Sequence, residues 1–228
     1  EFTRGHFLEV IDDPFAKGQA MIIIAGKDIE SIRTNIKQQK DWIYNKIDKN
    51  YRKRTEDYIF NQYERQGVTK YIWSKYQWTF RVPNNFKILK ERENFIWLGR
   101  MYPFRWISFY WEEGFQTDLM HMDGLLKQRN QIGKWYNTVG TDTSALGFYQ
   151  TKFNGRDALK MYGLWFHEEQ TKGGPFASYS FYDESSNRTF VVDYLIYYPG
   201  HRMTNLFRQM DIIAKTFTTN LDKAKKEW

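Results

Sequence analysis

Histidine and glutamate come together at one place in this sequence where they could transfer a proton or hold a metal ion. His167 is followed by Glu168 and Glu169, and on a strand His167 and Glu169 would share one face. The pair predicts, as one alternative, a hydrolase that uses His167 and Glu169. Two ligands do not make a zinc site, however, and a polar strand end ahead of the turn at Lys172-Gly173-Gly174 accounts for the same residues.

Other catalytic and cofactor-binding motifs are absent from the sequence. There is no HExxH, GxSxG or SxxK pattern, and there is no GxGxxG or Walker-type phosphate loop. The chain has no cysteine, which excludes disulfides, thiolate catalysis and cysteine-based zinc sites. We therefore expect a non-catalytic protein with no catalytic residues, no metal and no cofactor.

Aromatic content and positive charge set this composition apart. The chain has 18 Phe, 16 Tyr and 9 Trp, together 19% of its residues. A sheet-rich core accommodates many rings, and the alternative is that some are exposed to stack on a ligand such as a glycan. The net charge of +7 allows attraction to anionic partners. Because the charges are dispersed and no RNP-type signature is present, we expect no nucleic-acid partner.

The first 67 residues predict a small unit of two strands and a long helix. Strands over 6–11 and 19–25 are separated by a turn at Asp12-Asp13-Pro14. Asp28 is a plausible N-cap of the helix, whose isoleucines recur at spacings of three, four and seven and so form one stripe. Gly67 is expected to end the helix.

Residues 68–220 predict a second, larger unit, and residues 221–228 a charged and frayed tail. Tyr76 to Val82 alternates apolar and polar residues as a strand with one buried face does. Phe104 to Trp111 is apolar on both faces, which is typical of a strand covered on both sides. The further elements are strands near 86–90 and 95–99, a helix over about 117–139, four strands near 146–153, 157–168, 176–183 and 189–198, and a last helix that reaches Phe217. This order predicts a mixed α+β fold, with an antiparallel sheet and helices packed on its faces.

Part of this pattern resembles a known fold. The features that carry the likeness are the hairpin start at Phe80-Arg81-Val82-Pro83, the Trp106 to Trp111 strand, the strands from Asn154-Gly155-Arg156 to Tyr197-Tyr198-Pro199, and the closing helix that ends at Phe217. Over Trp78 to Phe217 the chain resembles the PsbP-like fold of photosystem II extrinsic subunits and of a Ran-binding import factor. The resemblance implies an α/β/α sandwich and a role in binding or assembly.

The whole chain is also similar to an uncharacterised family of predicted lipoproteins from Bacteroides-type bacteria. The stretches behind this likeness are Asp13-Pro14-Phe15-Ala16-Lys17, Asn50-Tyr51-Arg52-Lys53-Arg54, Trp97-Leu98-Gly99-Arg100 and Asp142-Thr143-Ser144-Ala145-Leu146-Gly147. The likeness implies a periplasmic or outer-membrane-anchored envelope protein, with a lipid anchor on a segment removed from this chain. It implies no activity.

The leading hypothesis is therefore an envelope protein that binds a protein partner, or another ligand such as a glycan, through its sheet. We predict a binding face built from neighbouring strands, in which arginines supply directional hydrogen bonds and rings supply flat contact area. Its predicted members are Arg100, Arg105, Trp106, Trp111, Trp165 and His167.

Overall fold

The computed structural model describes residues 6–61, 64–136 and 138–225 of the chain. It divides the chain into two compact units, residues 1–59 and 60–228. The division falls before the predicted boundary at residue 67, because the long helix ends at Phe60 and a new helix begins at Gln66. Thr69 and Ile72 of this second helix are buried, so Gly67 lies near its start rather than closing the first helix.

The first unit consists of a hairpin and the larger part of one long helix. Strands β1 (His6–Asp12) and β2 (Ala20–Gly26) pair antiparallel, as the two predicted strands require. Helix α1 (Ile29–Phe60) starts at the predicted cap. The Ser31 backbone N–H donates to Asp28 Oδ1 at 2.7 Å, and the Asp28 N–H donates to Ser31 Oγ at 3.1 Å. This reciprocal bonding satisfies amide donors that the helix start leaves without partners.

The second unit is built on a seven-stranded sheet with the strand order β3-β4-β5-β9-β8-β7-β6, in which every neighbouring pair is antiparallel. The strands are β3 (Lys87–Arg92), β4 (Phe95–Arg100), β5 (Phe104–Glu113), β6 (Val139–Phe153), β7 (Arg156–His167), β8 (Gly173–Asp183) and β9 (Arg188–Tyr197). The helices are α2 (Gln66–Tyr76), a 3₁₀ turn (Asp118–Met120), α3 (Met122–Trp135), α4 (Thr204–Ala214) and α5 (Leu221–Lys225). The predicted mixed α+β fold with a large antiparallel sheet is confirmed.

Helices cover both faces of this sheet. On one face, which we call the α3 face, Phe95, Trp165 and Leu195 pack in one buried cluster with residues of α3. On the opposite α4 face, the Tyr179 hydroxyl donates to Asp211 of α4 at 2.5 Å. Strand β9 lies at the middle of the sheet and is buried on both sides. Its neighbour β5 contains the stretch Phe104 to Trp111, which is apolar on both faces as expected for a strand near the centre of a covered sheet.

Three expected elements differ from the structure. Residues 77–82 form no regular strand: Trp78, Phe80 and Val82 are buried as the alternation predicted, but only Thr79 makes a bridge, to Thr218. The helix expected over 117–139 is a 3₁₀ turn followed by α3, and Val139 already begins β6. The tail expected to fray contains α5, whose Ala224 is 1% exposed.

Candidate functional site

Strand alternation divides the six predicted binding residues between the two faces of the sheet. Arg105 and Trp106 are adjacent on β5, so their side chains point to opposite sides. The members on the α4 face are Arg100, Arg105 and Trp111, and those on the α3 face are Trp106, Trp165 and His167. No single face therefore joins the six, and a binding role for any one of them stays a prediction.

On the α3 face the two tryptophans belong to the packed interior. The Trp106 ring meets the Trp97 ring edge to face, with the centroids 4.9 Å apart. Trp165 is 3% exposed, and its indole N–H donates to the Ile196 carbonyl at 3.0 Å. This hydrogen bond needs a glycine at position 174, because a Cβ there would lie 2.2 Å from the Ile196 carbonyl oxygen. Trp165 therefore presents no ring face to a glycan.

On the α4 face the arginines bond within the protein and Trp111 is buried. Arg105 is 8% exposed and donates to Gln209 of α4 at 2.7 Å. Arg100 donates to the carbonyls of Met101 and Tyr102, which follow it in the chain. The Trp111 ring, 4% exposed, has its centroid 4.8 Å from that of Tyr76. These contacts secure the fold on this side of the sheet.

The His167 and Glu169 pair forms a local turn. The Glu169 backbone N–H donates to His167 Nδ1 at 3.1 Å, and the His167 N–H donates to the Lys172 carbonyl at 2.9 Å. One ring nitrogen is thus occupied by the backbone of the turn. Among the described residues, no group of three His, Asp or Glu side chains is placed to hold a metal ion.

A pocket of about 430 Å³ lies between the end of α2 and the β3–β4 turn, with Trp111 in its wall. Two ion pairs lie in its lining, Lys75 with Glu91 and Arg188 with Glu113. Glu91 accepts from the hydroxyls of Tyr71 and Tyr76 at 3.0 Å each, and hydrogen bonding to these two tyrosines raises the pKa of Lys75. Lys75 therefore stays charged, which suits an ion-pair network more than a proton donor or acceptor.

A row of apolar side chains on the outer strands of the sheet is left partly uncovered by the packing. On β7, Tyr162, Leu164 and Phe166 are 43–46% exposed, and they point to the α4 face because they alternate with the buried residues Met161 and Trp165. Tyr149 of β6 joins them at 47% exposure, with its ring centroid 5.9 Å from that of Tyr162. We call Tyr149, Tyr162, Leu164 and Phe166 the outer sheet patch.

Two glycines of β6 allow the patch rings to lie across the edge strand. Gly147 pairs with Tyr162 and Gly140 pairs with Phe166. A Cβ at Gly147 would lie 2.3 Å from the Tyr162 ring, and one at Gly140 would lie 2.5 Å from the Phe166 ring. Since a side chain at either glycine would displace the ring, the sequence of β6 is adapted to a flat aromatic surface.

A polar cluster lies at the border between the part of the sheet that α4 covers and the outer sheet patch. Asp211 accepts hydrogen bonds from Tyr179 at 2.5 Å and from Tyr194 at 3.1 Å. The ammonium groups of Lys160 and Lys215 lie 3.6 and 3.5 Å from its two carboxylate oxygens. Burial, reinforced by the Asp211 charge, raises the pKa of Tyr194 well above its ordinary value, so the tyrosine remains a neutral donor.

A second polar cluster is enclosed on the α3 face. Arg129 of α3 and Asp193 of β9 are both 0% exposed. Asp193 also accepts from Ser178 at 2.5 Å, and the Tyr136 hydroxyl donates to Ser108 at 2.5 Å. Burial raises the pKa of Asp193 although Arg129, Ser178 and Tyr136 act in the opposite direction. With no opening to solvent, this cluster serves to position α3 on the sheet.

Sequence reasoning missed the outer sheet patch, although part of its signal was visible. The run from Leu159 to Phe166 is largely apolar on both faces. Each face is therefore expected to pack against another part of the chain or to bind a partner. Which face α4 covers, and how far along β7 it reaches, depends on contacts between residues distant in sequence. The pairing of Gly140 and Gly147 with aromatic residues could likewise be predicted only if the register of β6 against β7 were known.

The described residues contain no helix that is long and apolar enough to cross a membrane. Fold and surface together define an α+β protein with helices on both faces of an antiparallel sheet and an apolar patch at one edge. The chain belongs to the DUF4837 family, a domain of unknown function, whose model matches residues 64–216. The expectation of an uncharacterised family is thus confirmed. No curated protein matches the chain.

Solved structures with partial similarity come from several organisms. A crystal structure from Bacteroides thetaiotaomicron shares 11% identity over 63% of this chain, with a TM-score of 0.38, and this chain covers 45% of that protein. The Ran-binding protein Mog1p of Saccharomyces cerevisiae shares 8% identity over 63% of this chain and 90% of its own, with a TM-score of 0.41. LpqN, involved in cell envelope biogenesis of Mycobacterium tuberculosis, shares 13% identity over 62% of this chain and 82% of its own, with a TM-score of 0.37.

Proposed function

We propose that this protein is a non-catalytic binding protein of the cell envelope, which holds an extended segment of a protein partner at the outer sheet patch. The observation that carries the proposal is the patch itself: four large apolar side chains on two adjacent strands, each 43–47% exposed. Contiguous apolar surface of this kind costs free energy in water and is typical of interaction sites.

The position of the patch favours an extended segment over other protein shapes. Within the described parts of the chain, β6 is the last strand of the sheet and pairs on one side only, with β7. An edge strand offers backbone N–H and C=O groups to an added strand. A segment paired to β6 would direct every second side chain to the α4 face, beside Tyr149 and Tyr162.

Charge favours a partner segment with acidic residues near its apolar ones. The chain carries a net charge of +7. At the border of the patch, the positively charged side chains of Lys160 and Lys215 lie 3.6 and 3.5 Å from the Asp211 carboxylate. An acidic side chain of the partner would meet this charge, and the electrostatic attraction would weaken with salt.

The envelope location is the second part of the proposal. It rests on the resemblance to Bacteroides-type lipoproteins, and the lack of cysteine is compatible with a periplasmic chain. Fractionation of cells that produce the full natural protein tests it. We expect recovery in the membrane or periplasmic fraction, and recovery in the cytosol would contradict this part alone.

A site-specific cross-linking experiment tests the binding function. A photoreactive phenylalanine analogue replaces Tyr149 in one variant and Leu89 in a matched control. Leu89 is also about half exposed, at 45%, but lies on β3 at the opposite edge of the sheet. We expect the probe at position 149 to cross-link one defined polypeptide in envelope extract, at a single contiguous segment, while the probe at position 89 does not.

Affinity measurements with the cross-linked segment, made as a synthetic peptide, complete the test. The double variant Tyr162→Ser/Phe166→Ser should weaken binding by roughly tenfold or more, because it removes two of the four apolar side chains of the patch. Leu89→Ser should leave the affinity unchanged. Equal cross-linking from both positions, or a peptide that binds the double variant as well as the native protein, would overturn the proposed function.

A further inference from the structure

The long helix α1 of the first unit carries an apolar stripe that is exposed. The sequence places isoleucines on one side of this helix, where a protein core would be expected to cover them. Instead, large side chains on this side are 44–73% exposed, namely Ile29, Ile36, Tyr44, Ile47 and Tyr58. At 3.6 residues per turn, these five positions fall within an arc of about 80° around the helix axis.

Basic residues share this side of the helix with the apolar stripe. Helical geometry places Arg33, Lys37, Lys40 and Arg54 within the same arc or directly at its border, in an arc of about 100° in all. Of these, Arg33 bonds to Glu30 at 2.5 Å, and the Arg54 side chain passes over Gly18. Of the acidic residues of α1, Glu30 and Asp48 lie about 20° beyond the border at Lys37, and Asp41, Glu56 and Asp57 lie farther from the arc.

The hairpin turn extends the stripe. Phe15 lies between β1 and β2 and is 84% exposed. A groove of about 500 Å³ within the first unit is lined by Phe15 together with Ile47 and Arg54, so the turn and the middle of α1 border one surface. We call Phe15 with the five apolar residues of the stripe the α1 stripe surface.

We propose that the α1 stripe surface binds an anionic lipid surface, with α1 lying parallel to the membrane plane. Exposed isoleucine, tyrosine and phenylalanine side chains can enter the boundary between headgroups and acyl chains, while arginine and lysine on the same side meet lipid phosphates. A second copy of this chain is a poorer occupant, because its stripe carries the same basic residues and would add positive charge at the surface instead of neutralising it. This proposal is independent of the outer sheet patch.

The absence of cysteine allows a direct test with a single fluorescent label. An environment-sensitive fluorophore is attached to Ile47→Cys in the stripe and, in a matched control, to Lys49→Cys. Lys49 is exposed and lies two residues further, on the opposite side of the helix. We expect vesicles of phosphatidylcholine with phosphatidylglycerol to shift the emission at position 47 to shorter wavelength and to leave position 49 unchanged. Vesicles of phosphatidylcholine alone should cause a much smaller shift.

Other occupants of the surface give distinguishable outcomes in the same experiment. A shift that grows with protein concentration without lipid would show a second copy on the stripe. An emission that is already shifted at the lowest concentration and insensitive to lipid would show that the chain itself covers α1. Either result would overturn the proposal, as would equal shifts at positions 47 and 49.

Substitutions separate the apolar and the electrostatic parts of the interaction. Lys37→Gln/Lys40→Gln should lower the vesicle partition coefficient by roughly tenfold at low salt, and this loss should shrink as salt screens the native protein. Phe15→Ser/Ile36→Ser should reduce partitioning at every salt concentration. The double variant Tyr162→Ser/Phe166→Ser, in the second unit, should bind vesicles as the native protein does, and a loss there would contradict the assignment to α1.

Discussion

Arg129 Nε lies 2.8 Å from Asp193 Oδ1, and neither side chain has any exposed surface. The pair connects α3 to β9, the strand at the middle of the sheet. Taking two charges out of water is costly, and their mutual attraction offsets that cost only while both partners are present. The cation also lies over the Phe176 ring, 4.5 Å from its centroid, so removing the carboxylate alone would leave a buried charge among apolar groups.

We expect Asp193→Asn to lower the free energy of unfolding by about 3–5 kcal/mol, since it leaves the Arg129 charge uncompensated. Replacing both partners, as in Arg129→Met/Asp193→Leu, should cost clearly less than the single change. Urea unfolding at neutral pH measures both. The matched control is the exposed pair of Lys152 and Asp157, 2.6 Å apart, where Asp157→Asn should change stability by no more than about 0.5 kcal/mol. Equal effects at the two pairs would contradict this interpretation of the buried one.

A second prediction concerns the pH dependence of stability through Asp183, a buried carboxylate at the end of β8. Burial alone would raise its pKa, but hydrogen bonds from Ser186 and Ser185 and the charge and bonding of Arg156 outweigh burial and hold the pKa below the usual 3.8. A depressed pKa stabilises the folded state above the unfolded-state value and loses that effect as the pH falls through the folded-state value. Asp183→Asn should therefore cost about 2 kcal/mol at neutral pH.

The destabilisation by Asp183→Asn should shrink as the pH falls toward 3.8 and further below it. Urea unfolding of both proteins across this range tests the sign. Asp142 provides a comparison, because its pKa is lowered too, by hydrogen bonds from Ser144, although this side chain is in contact with solvent. A difference between native protein and Asp183→Asn that grows with acidity would refute the assignment.

A third prediction concerns the glycine beneath the Tyr162 ring. Gly147→Ala should destabilise the protein by up to about 1 kcal/mol, because the half-exposed Tyr162 ring must move aside to make room for the new Cβ. Gly67 of α2 is the matched control, since a Cβ there has no neighbour within 4 Å. Gly67→Ala should stabilise the helix by up to about 1 kcal/mol. Thermal and urea unfolding measure both, and a Gly147→Ala that stabilises the protein as Gly67→Ala does would show that the ring does not pack on β6.

A fourth prediction concerns the C-terminal helix α5. Ala224 is 1% exposed, so Ala224→Asp should destabilise the second unit by about 2 kcal/mol or more through burial of an unpaired charge. The adjacent Lys225 is exposed, and Lys225→Asp should change stability by about 0.5 kcal/mol at most. If the two variants unfold at the same urea concentration, α5 is not packed against the protein.

The elements that the sequence predicts well are those whose pattern is local. Residues in β7, β8 and β9 alternate or run apolar between clear turns, so the strands were found within a few residues of their bounds. The segment from Trp78 to Val82 shows the limit of such patterns. Its alternation correctly predicts that one side is buried, but a strand also needs a neighbour, and here only Thr79 meets a bridging partner, Thr218, at the far end of the chain.

The sequence could predict one aspect of the binding face and not another. The opposite orientation of Arg105 and Trp106 follows from strand alternation alone and was accessible from sequence. The exposure of Tyr162 and Phe166 was not, because Trp165 on the same strand is equally apolar and lies in the core. Only the position of α4, fixed by contacts such as Tyr179 with Asp211, decides which side of β7 stays open.

The register of β6 against β7 is interrupted between Asp142 and Gly147 and is regular from Gly147 to Phe153. A continuous ladder with an incoming strand is therefore available only along that last stretch. At about 3.3 Å per residue, it extends for roughly 20 Å. The irregularity thus limits the length of polypeptide that can pair with this edge in unbroken register, to about seven residues.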